Sequence, residues 1–395
     1  MTLSLPPRSF FYLGHAYEPT LEIRLDDGVL RLPMSWVGSG RSADEGIWVA
    51  ELSRLPADGE WQFRLDLGDG RCEQPEFAPF YTTTLRRVWF QDHQAFGYRP
   101  APVVSPPQVV KIPEFKGRLS PRPLYIYLPR GYDEHTEKRY PVLYMHDGQN
   151  CFEAFVDDSY AGSWQADITA NLLIRQGLMR ECIIVGVGNG QEQRILEYLP
   201  PYARHLPPPR RPTKPVTPEE AAEQPQRPLR PVSGRANHTA AYYREVAAYV
   251  EQTYRALPDR DARATCGSSM GGLLSVYLAW EHPDFARHHA ALSPSFWITR
   301  NPDGSMEAVN RLRSLPRRDV RLWLDSGTRS TPTRGDDGMR DTQLARAALL
   351  AAGYDEGRDF VYYLDEGAIH SETAWAARLP LIFQFLFPTT DDDLL

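Results

Sequence analysis

The sequence predicts a small all-β sandwich followed by a doubly wound, mostly parallel α/β sheet. Three observations predict it. Residues 1–105 hold short apolar and aromatic runs between turn signals, with no long amphipathic helix. From residue 108 onward, strand-like and helix-like segments alternate, the pattern that builds a parallel sheet with helices on both faces. A proline-rich bridge, Arg99-Pro100-Ala101-Pro102 to Ser105-Pro106-Pro107, separates the two and marks domains 1–105 and 106–395. At about 150 residues per domain, a chain of 395 residues has room for both.

In the N-terminal part the runs 21–25, 48–52 and 61–67 read as strands with rough alternation. The turn signals between strands are Asp26-Asp27-Gly28, Gly38-Ser39-Gly40, Ala57-Asp58-Gly59 and Gly68-Asp69-Gly70. The pattern is that of a small immunoglobulin-like sandwich. Trp36, Trp48, Trp61 and Trp89 are expected in its core, with stacking on sugars as the alternative.

In the second part, 109–112 and 124–128 read as strands, and 142–145 and 182–187 as strands buried on both faces. Helical periodicity falls at 164–176. Then come a helix at 238–254, a strand at 263–266 and a helix after Gly271. Strands near 289–292 and 320–324, a helix near 342–352, a strand at 359–364 and a helix near 372–387 complete the series. Residues 201–235 interrupt it with prolines and arginines that cannot build a packed core. This segment is expected to be a surface insertion, with a lid or rim over the site as the functional alternative.

Composition narrows the classes. Hydrophobic residues at 42% and charged residues at 24% are ordinary for a globular protein. A net charge of −7 disfavours a nucleic-acid partner, which needs a basic face. No apolar run approaches the ~20 residues of a membrane span, and the N-terminus is a poor signal peptide. A cytoplasmic location without membrane association is therefore expected. Cys72, Cys151, Cys182 and Cys266 have no metal-type spacing and read as buried free thiols.

The strongest local signal is Gly267-Ser268-Ser269-Met270-Gly271-Gly272, which fits G-x-S-x-G between a strand and a helix. That is the context of a nucleophile elbow on an α/β-hydrolase sheet. Ser269, centred between the glycines, is the expected nucleophile, ahead of Ser268. A serine needs a base, and in this fold the order is Ser, acid, His. His282, His288 and His289 read as structural or surface residues. His370 lies in a loop after the last strand and before the last helix, where the base belongs. The acid is a choice among Asp325, Asp336, Asp337 and Asp341, led by Asp337; Asp341 reads as the N-cap of the next helix. The oxyanion donors are expected to be the backbone N–H groups of Met270 and Gln149, with Asn150 close behind. His146 and Asp147 are expected to shape the Gln149 loop.

The segment Tyr140-Pro141-Val142-Leu143-Tyr144-Met145-His146-Asp147-Gly148-Gln149-Asn150 resembles the esterase D or "putative esterase" family. That family includes enterochelin esterases, feruloyl and acetyl xylan esterases and S-formylglutathione hydrolases. Further matches are Trp164-Gln165-Ala166-Asp167, Arg194 with Glu197-Tyr198 and Pro200, Tyr254-Arg255, and Gly267 to Gly272. The resemblance spans residues 108 to 390. It implies an α/β-hydrolase with Ser269 as nucleophile, His370 as base and an oxyanion loop around Gln149. It also implies no required metal or cofactor, and small-molecule carboxylic esters as substrates. The loop Thr328-Arg329-Ser330-Thr331-Pro332-Thr333-Arg334 is longer than the family's turn, and the proline-rich insertion is a second departure. From Gly46-Ile47-Trp48 to Gly59-Glu60-Trp61-Gln62-Phe63-Arg64 the chain is similar to early-set modules that precede many sugar-active enzymes. The expected activity is hydrolysis of sugar-linked, aromatic-acid or siderophore-type esters through an acyl-enzyme. The alternatives are an acyltransferase with the same triad and a non-catalytic binding protein on this fold.

Overall fold

The computed structural model describes residues 8–26, 28–39, 46–52, 59–68, 70–85, 87–97, 105–203, 205–206, 230–331 and 335–389. Most of the proline-rich bridge and of the insertion lie outside the described residues, as do Pro332-Thr333-Arg334 and the turn residues Asp27, Gly40, Ala57, Asp58 and Asp69. The chain divides into two compact units. One comprises Pro106–Thr169 and Glu181–Leu386, and the other takes the remainder.

The N-terminal unit is built from two sheets. One runs in the order Gln94–Phe96, Val88–Gln91, Ser9–Gly14, Gly46–Glu51, Ser35–Ser39. The other runs Gly28–Pro33, Thr20–Leu25, Trp61–Asp66, Cys72–Glu73, with Tyr81–Thr83 also pairing to Trp61–Asp66. Alternation does the sorting. In Trp61–Asp66 the residues Trp61, Phe63 and Leu65 are buried while Gln62 and Arg64 are half-exposed. Their inner faces share one core, in which Phe10 of the first sheet meets Phe63 of the second with ring centroids 4.8 Å apart. Trp61 and Trp89 are buried and Trp48 is half-buried, but Trp36 is 59% exposed. Trp36 departs from its expected core position because Ser35–Ser39 is the outer strand of its sheet. Cys72, expected to be buried, is exposed, because it sits in a two-residue outer strand. Cys151, Cys182 and Cys266 are buried free thiols.

The second unit holds an eight-stranded sheet. Its strands are β1 (Gln108–Phe115), β2 (Arg122–Leu128), β3 (Val142–His146), β4 (Ile183–Val187), β5 (Arg263–Ser268), β6 (His288–Leu292), β7 (Arg321–Gly327) and β8 (Phe360–Asp365). They lie in the order β1-β2-β4-β3-β5-β6-β7-β8. The β1–β2 and β2–β4 pairs are antiparallel, and the rest of the ladder is parallel. Among the described residues the α-helices are α1 (Ala166–Arg175), α2 (Arg194–Tyr198), α3 (Ala236–Thr253), α4 (Met270–Glu281), α5 (Glu307–Ser314), α6 (Met339–Ala351) and α7 (Glu372–Leu386). Every residue of β3 and β4 is buried, the condition that unbroken apolar runs signal. Tyr242, Tyr243, Val246 and Val250 of α3 pack with Val142, Tyr144, Ile183 and Val185 of β3 and β4. A second core joins Leu273, Leu274 and Leu278 of α4 to Leu322 and Leu324 of β7. This is an α/β-hydrolase sheet with a separate pair of β-sheets before it.

Two differences from the sequence reading have local causes. Helix α5 was not expected between β6 and β7. It has eight residues and buries Ala308, Val309 and Leu312, so its apolar stripe is too short to stand out as a period. Helix α6 starts at Met339 with Gly338, at φ 76°, as its N-cap. Asp341 therefore lies in the first turn and not at the cap. Among the described residues, no helix is long and apolar enough to cross a membrane.

Candidate active site

The expected functional residues gather at the C-terminal ends of the parallel strands, where open α/β sheets bind ligands. Ser269 lies between β5 and α4 at φ 57°, ψ −117°, a backbone conformation that residues with a side chain rarely adopt. Three main-chain bonds hold it there. Ser269 N–H donates to Leu292 C=O at 2.9 Å, and Ser269 C=O accepts from Leu273 N–H at 3.1 Å and from Ser295 N–H at 3.0 Å. Ser268 is buried in β5, whereas Ser269 is half-buried.

The flanking glycines answer to close approach. A Cβ on Gly272 would come within 2.8 Å of Leu292 O. One on Gly267 would stand 2.5 Å from His146 Cδ2 and 2.9 Å from the Gly271 carbonyl carbon. His146 fills the space beneath the elbow. Its Nδ1 bonds Tyr243 OH at 2.6 Å and its Nε2 bonds Ser275 Oγ at 3.0 Å. Burial pushes its pKa down to about 3, so it is a neutral brace at ordinary pH. Gly267→Ala is expected to cost about 1–3 kcal/mol by overpacking this spot. Urea unfolding measures it, and a variant as stable as wild type contradicts the argument.

His370 follows β8 in the loop before α7, with its side chain 35% exposed. Its Nδ1 meets Asp337 Oδ1 in a short hydrogen bond, and the Asp337 side chain is fully buried. Asp337 Oδ2 accepts from Gly327 N–H and Ser293 Oγ, each at 2.6 Å. Two further bonds tie the loops after β7 and β8 together: Arg329 N–H to Ala368 C=O at 3.1 Å and Gly367 N–H to Thr328 Oγ1 at 2.8 Å. The other three candidate aspartates are engaged elsewhere. Asp325 is buried against Arg378 at 2.6 Å. Asp336 accepts from Gly338 N–H at 3.1 Å, and Asp341 pairs with Arg300 at 3.3 Å. Ser269 Oγ bonds Ser295 Oγ at 3.2 Å, and among the described residues it makes no hydrogen bond to His370. Serine–base bonds are often long in unliganded enzymes.

The loop after β3 is stiffened from below. Asp147, at φ 56°, receives Arg194 through Nε at 2.5 Å and Nη2 at 2.7 Å, and Asn189 Nδ2 at 2.6 Å. Burial disfavours the Arg194 charge, but the Asp147 carboxylate outweighs it and the guanidinium pKa is raised. Tyr198 OH accepts the Asp147 N–H at 3.2 Å. Glu197 forms a buried ion pair with Arg122 at 2.7 Å. Arg194 and Tyr198, noted in the sequence only as matches, thus brace this loop, while Glu197, from the same set of matches, ties α2 to β2. Asn150 N–H is taken by Asp147 C=O at 2.8 Å. Gln149 lies one residue earlier in the 3-10 turn Gly148–Asn150, where N–H groups precede the first intrahelical acceptor. Met270 opens α4, so its N–H is likewise at a helix start.

Sequence reasoning missed Ser293, Ser295 and Trp375. Ser293 and Ser295 flank Pro294 directly after β6, and Trp375 lies in the second turn of α7. No motif spacing marks them. For Ser293 and Ser295 the available signal was position, since residues just past a parallel strand of this sheet face the site. His289, read as structural, is fully buried between Thr265 Oγ1 and Ala286 C=O, at 2.8 and 3.0 Å.

A doubly wound sheet with a strained serine at a strand-to-helix turn, and a His–Asp pair at the ends of neighbouring strands, defines an α/β-hydrolase. Residues 119–386 match the family described as "putative esterase", which is more than half of the chain, and the protein belongs to this esterase family. It is an esterase, and its family implies small-molecule ester substrates. Two solved structures show the same fold. A ferulic acid esterase is 18% identical with a TM-score of 0.50, over 72% of this chain and 100% of that one. The enterobactin esterase FES from Shigella flexneri is 13% identical with a TM-score of 0.50, over 97% of this chain and 94% of that one.

Proposed function

We propose that the protein hydrolyses carboxylic esters through a Ser269–His370–Asp337 triad and an acyl-enzyme. Ser269 Oγ turns from Ser295 toward His370 Nε2 and attacks the ester carbonyl while the imidazole takes its proton. Asp337 orients the ring through Nδ1 and stabilises the imidazolium. The N–H groups of Met270 and Gln149 receive the developing oxyanion. His370 then gives its proton to the leaving alcohol, and water attacks the acyl-enzyme by the same route. The observation that carries the reading is the hydrogen bond between the fully buried Asp337 carboxylate and Nδ1 of His370, whose side chain is itself 35% exposed.

For the substrate, we propose esters of aromatic acids, sugars or catechol-type siderophores. That the two similar folds are a ferulic acid esterase and an enterobactin esterase supports this range.

The test is a fluorophosphonate label mapped by peptide sequencing, followed by acetyl, feruloyl, longer acyl and catechol-siderophore esters. Labelling at Ser269 with turnover of at least one ester class is expected. Absence of both sinks the reading. Esters formed from an added alcohol acceptor, with little free acid, would point to acyl transfer instead.

A further inference from the structure

Asp337 and His370 share a support that the reaction does not use directly. Of the two donors on Asp337 Oδ2, one is a side chain, the Ser293 hydroxyl at 2.6 Å. Trp375 Nε1 reaches that same Ser293 Oγ at 3.1 Å. An indole nitrogen only donates. Ser293 Oγ therefore accepts from the tryptophan and turns its own proton onto the carboxylate. The Trp375 ring also stands edge-on to the His370 ring, with centroids 4.8 Å apart at 85°. Ser293 and Trp375 are 2% and 4% exposed, so water does not substitute for these contacts.

The serine is aimed by its backbone. Ser293 follows β6 at φ 41°, in the left-handed region. Its N–H is held by Asp325, through the carbonyl at 3.0 Å and Oδ1 at 3.2 Å. Asp325 is in turn held by Arg378 at 2.6 Å and Trp323 Nε1 at 2.8 Å. On the far side, Trp375 packs against Trp164, with centroids 5.8 Å apart.

We propose that Ser293 and Trp375 are positioning residues for the acid–base pair. Ser293 stops the Asp337 carboxylate from rotating, so Oδ1 stays aimed at His370 Nδ1. Trp375 fixes the Ser293 hydroxyl through its N–H and the imidazole plane through its ring. This rests on the triad proposed above.

The test compares Ser293→Ala, Trp375→Phe and the double variant with wild type. Ser293→Ala is expected to lower kcat about 10- to 100-fold, the size of one lost hydrogen bond to a charged group. KM should stay within about two-fold, because orientation acts in the transition state. Trp375→Phe keeps a ring against His370 and loses only the N–H, so kcat should fall about 3- to 10-fold. The double variant should be no slower than Ser293→Ala, since the indole N–H has already lost its acceptor. The second readout needs no substrate. The His370 Nδ1 proton should give a far-downfield NMR resonance in wild type, and both single variants should broaden or shift it.

Additive losses in the double variant overturn the proposal. So do wild-type kcat and an unmoved resonance in either single variant; Trp375→Phe carries this arm if Ser293→Ala does not fold. An active wild type with inert Ser293→Ala effects removes the positioning role alone. A wild type with neither fluorophosphonate labelling nor the downfield resonance removes the triad reading and this proposal with it.

Discussion

Ser269→Ala is expected to lower kcat for p-nitrophenyl acetate about 10⁵- to 10⁶-fold, the loss that follows removal of a triad nucleophile. Fluorophosphonate labelling should disappear with it. The residual rate would come from oxyanion donors and binding, which do not depend on the hydroxyl. Fold and substrate binding should persist, because among the described residues Ser269 Oγ makes one side-chain bond, to Ser295 at 3.2 Å. The backbone adds an independent check. At φ 57°, ψ −117° a side chain is strained, by about 1–3 kcal/mol. Ser269→Gly should therefore be more stable than Ser269→Ala, and equally inactive. An alanine variant within ten-fold of wild type would remove Ser269 from the mechanism. A glycine variant less stable than alanine would remove the strain argument only.

The second large effect concerns stability. Arg378, 2% exposed, carries the charge that faces the fully buried Asp325. Arg378→Met should cost about 3–5 kcal/mol, because it leaves a carboxylate buried without its counter-charge. The pH dependence gives the signature. Burial pushes the Asp325 pKa up to about 6, against the lowering effects of Arg378 and the Trp323 N–H. An unfolded aspartate titrates near about 3.9. Between these values the folded state holds more protons than the unfolded one, so this group's contribution to stability falls as pH rises through the window. Without Arg378 the folded pKa goes higher and the window widens upward. The deficit of the variant should therefore be larger near about pH 8 than near about pH 5. Urea unfolding at both values measures it. Asp325→Asn combined with Arg378→Met should recover much of the loss, since no buried charge remains. A deficit independent of pH would mean that lost packing, not the stranded charge, destabilises the variant.

These two sites show different kinds of legibility. The Ser269 elbow is local: a strand, a small-residue turn and a helix are consecutive in the chain, and each has a short-range signature. The Asp325–Arg378 pair joins β7 to α7 across 53 positions, and nothing in either neighbourhood announces the other. The same distinction runs through the acid loop. Asp336 and Asp337 are adjacent, glycine-flanked and chemically equal in the sequence. Asp337 is the one turned inward, because at φ 50° its carboxylate reaches Gly327 N–H, while Asp336 folds back on Gly338 N–H. A one-residue shift along such a turn reverses which side chain faces the site. Helix α5 and the exposure of Trp36 escaped for a related reason. A three-residue apolar stripe is too short to carry a period, and an outer strand position is a property of the sheet order.

Apolar runs, turn residues and helical periods were therefore enough to read the parallel sheet, the β-module before it, and the strand–Ser269–helix order. They act within a few residues of one another, so their physics is written in consecutive letters. The hydrogen bond that pairs His370 with Asp337 and the Ser293–Trp375 support came from the folded chain. Each depends on groups brought together from different strands and helices, whose hydrogen bonds are settled by distance and burial.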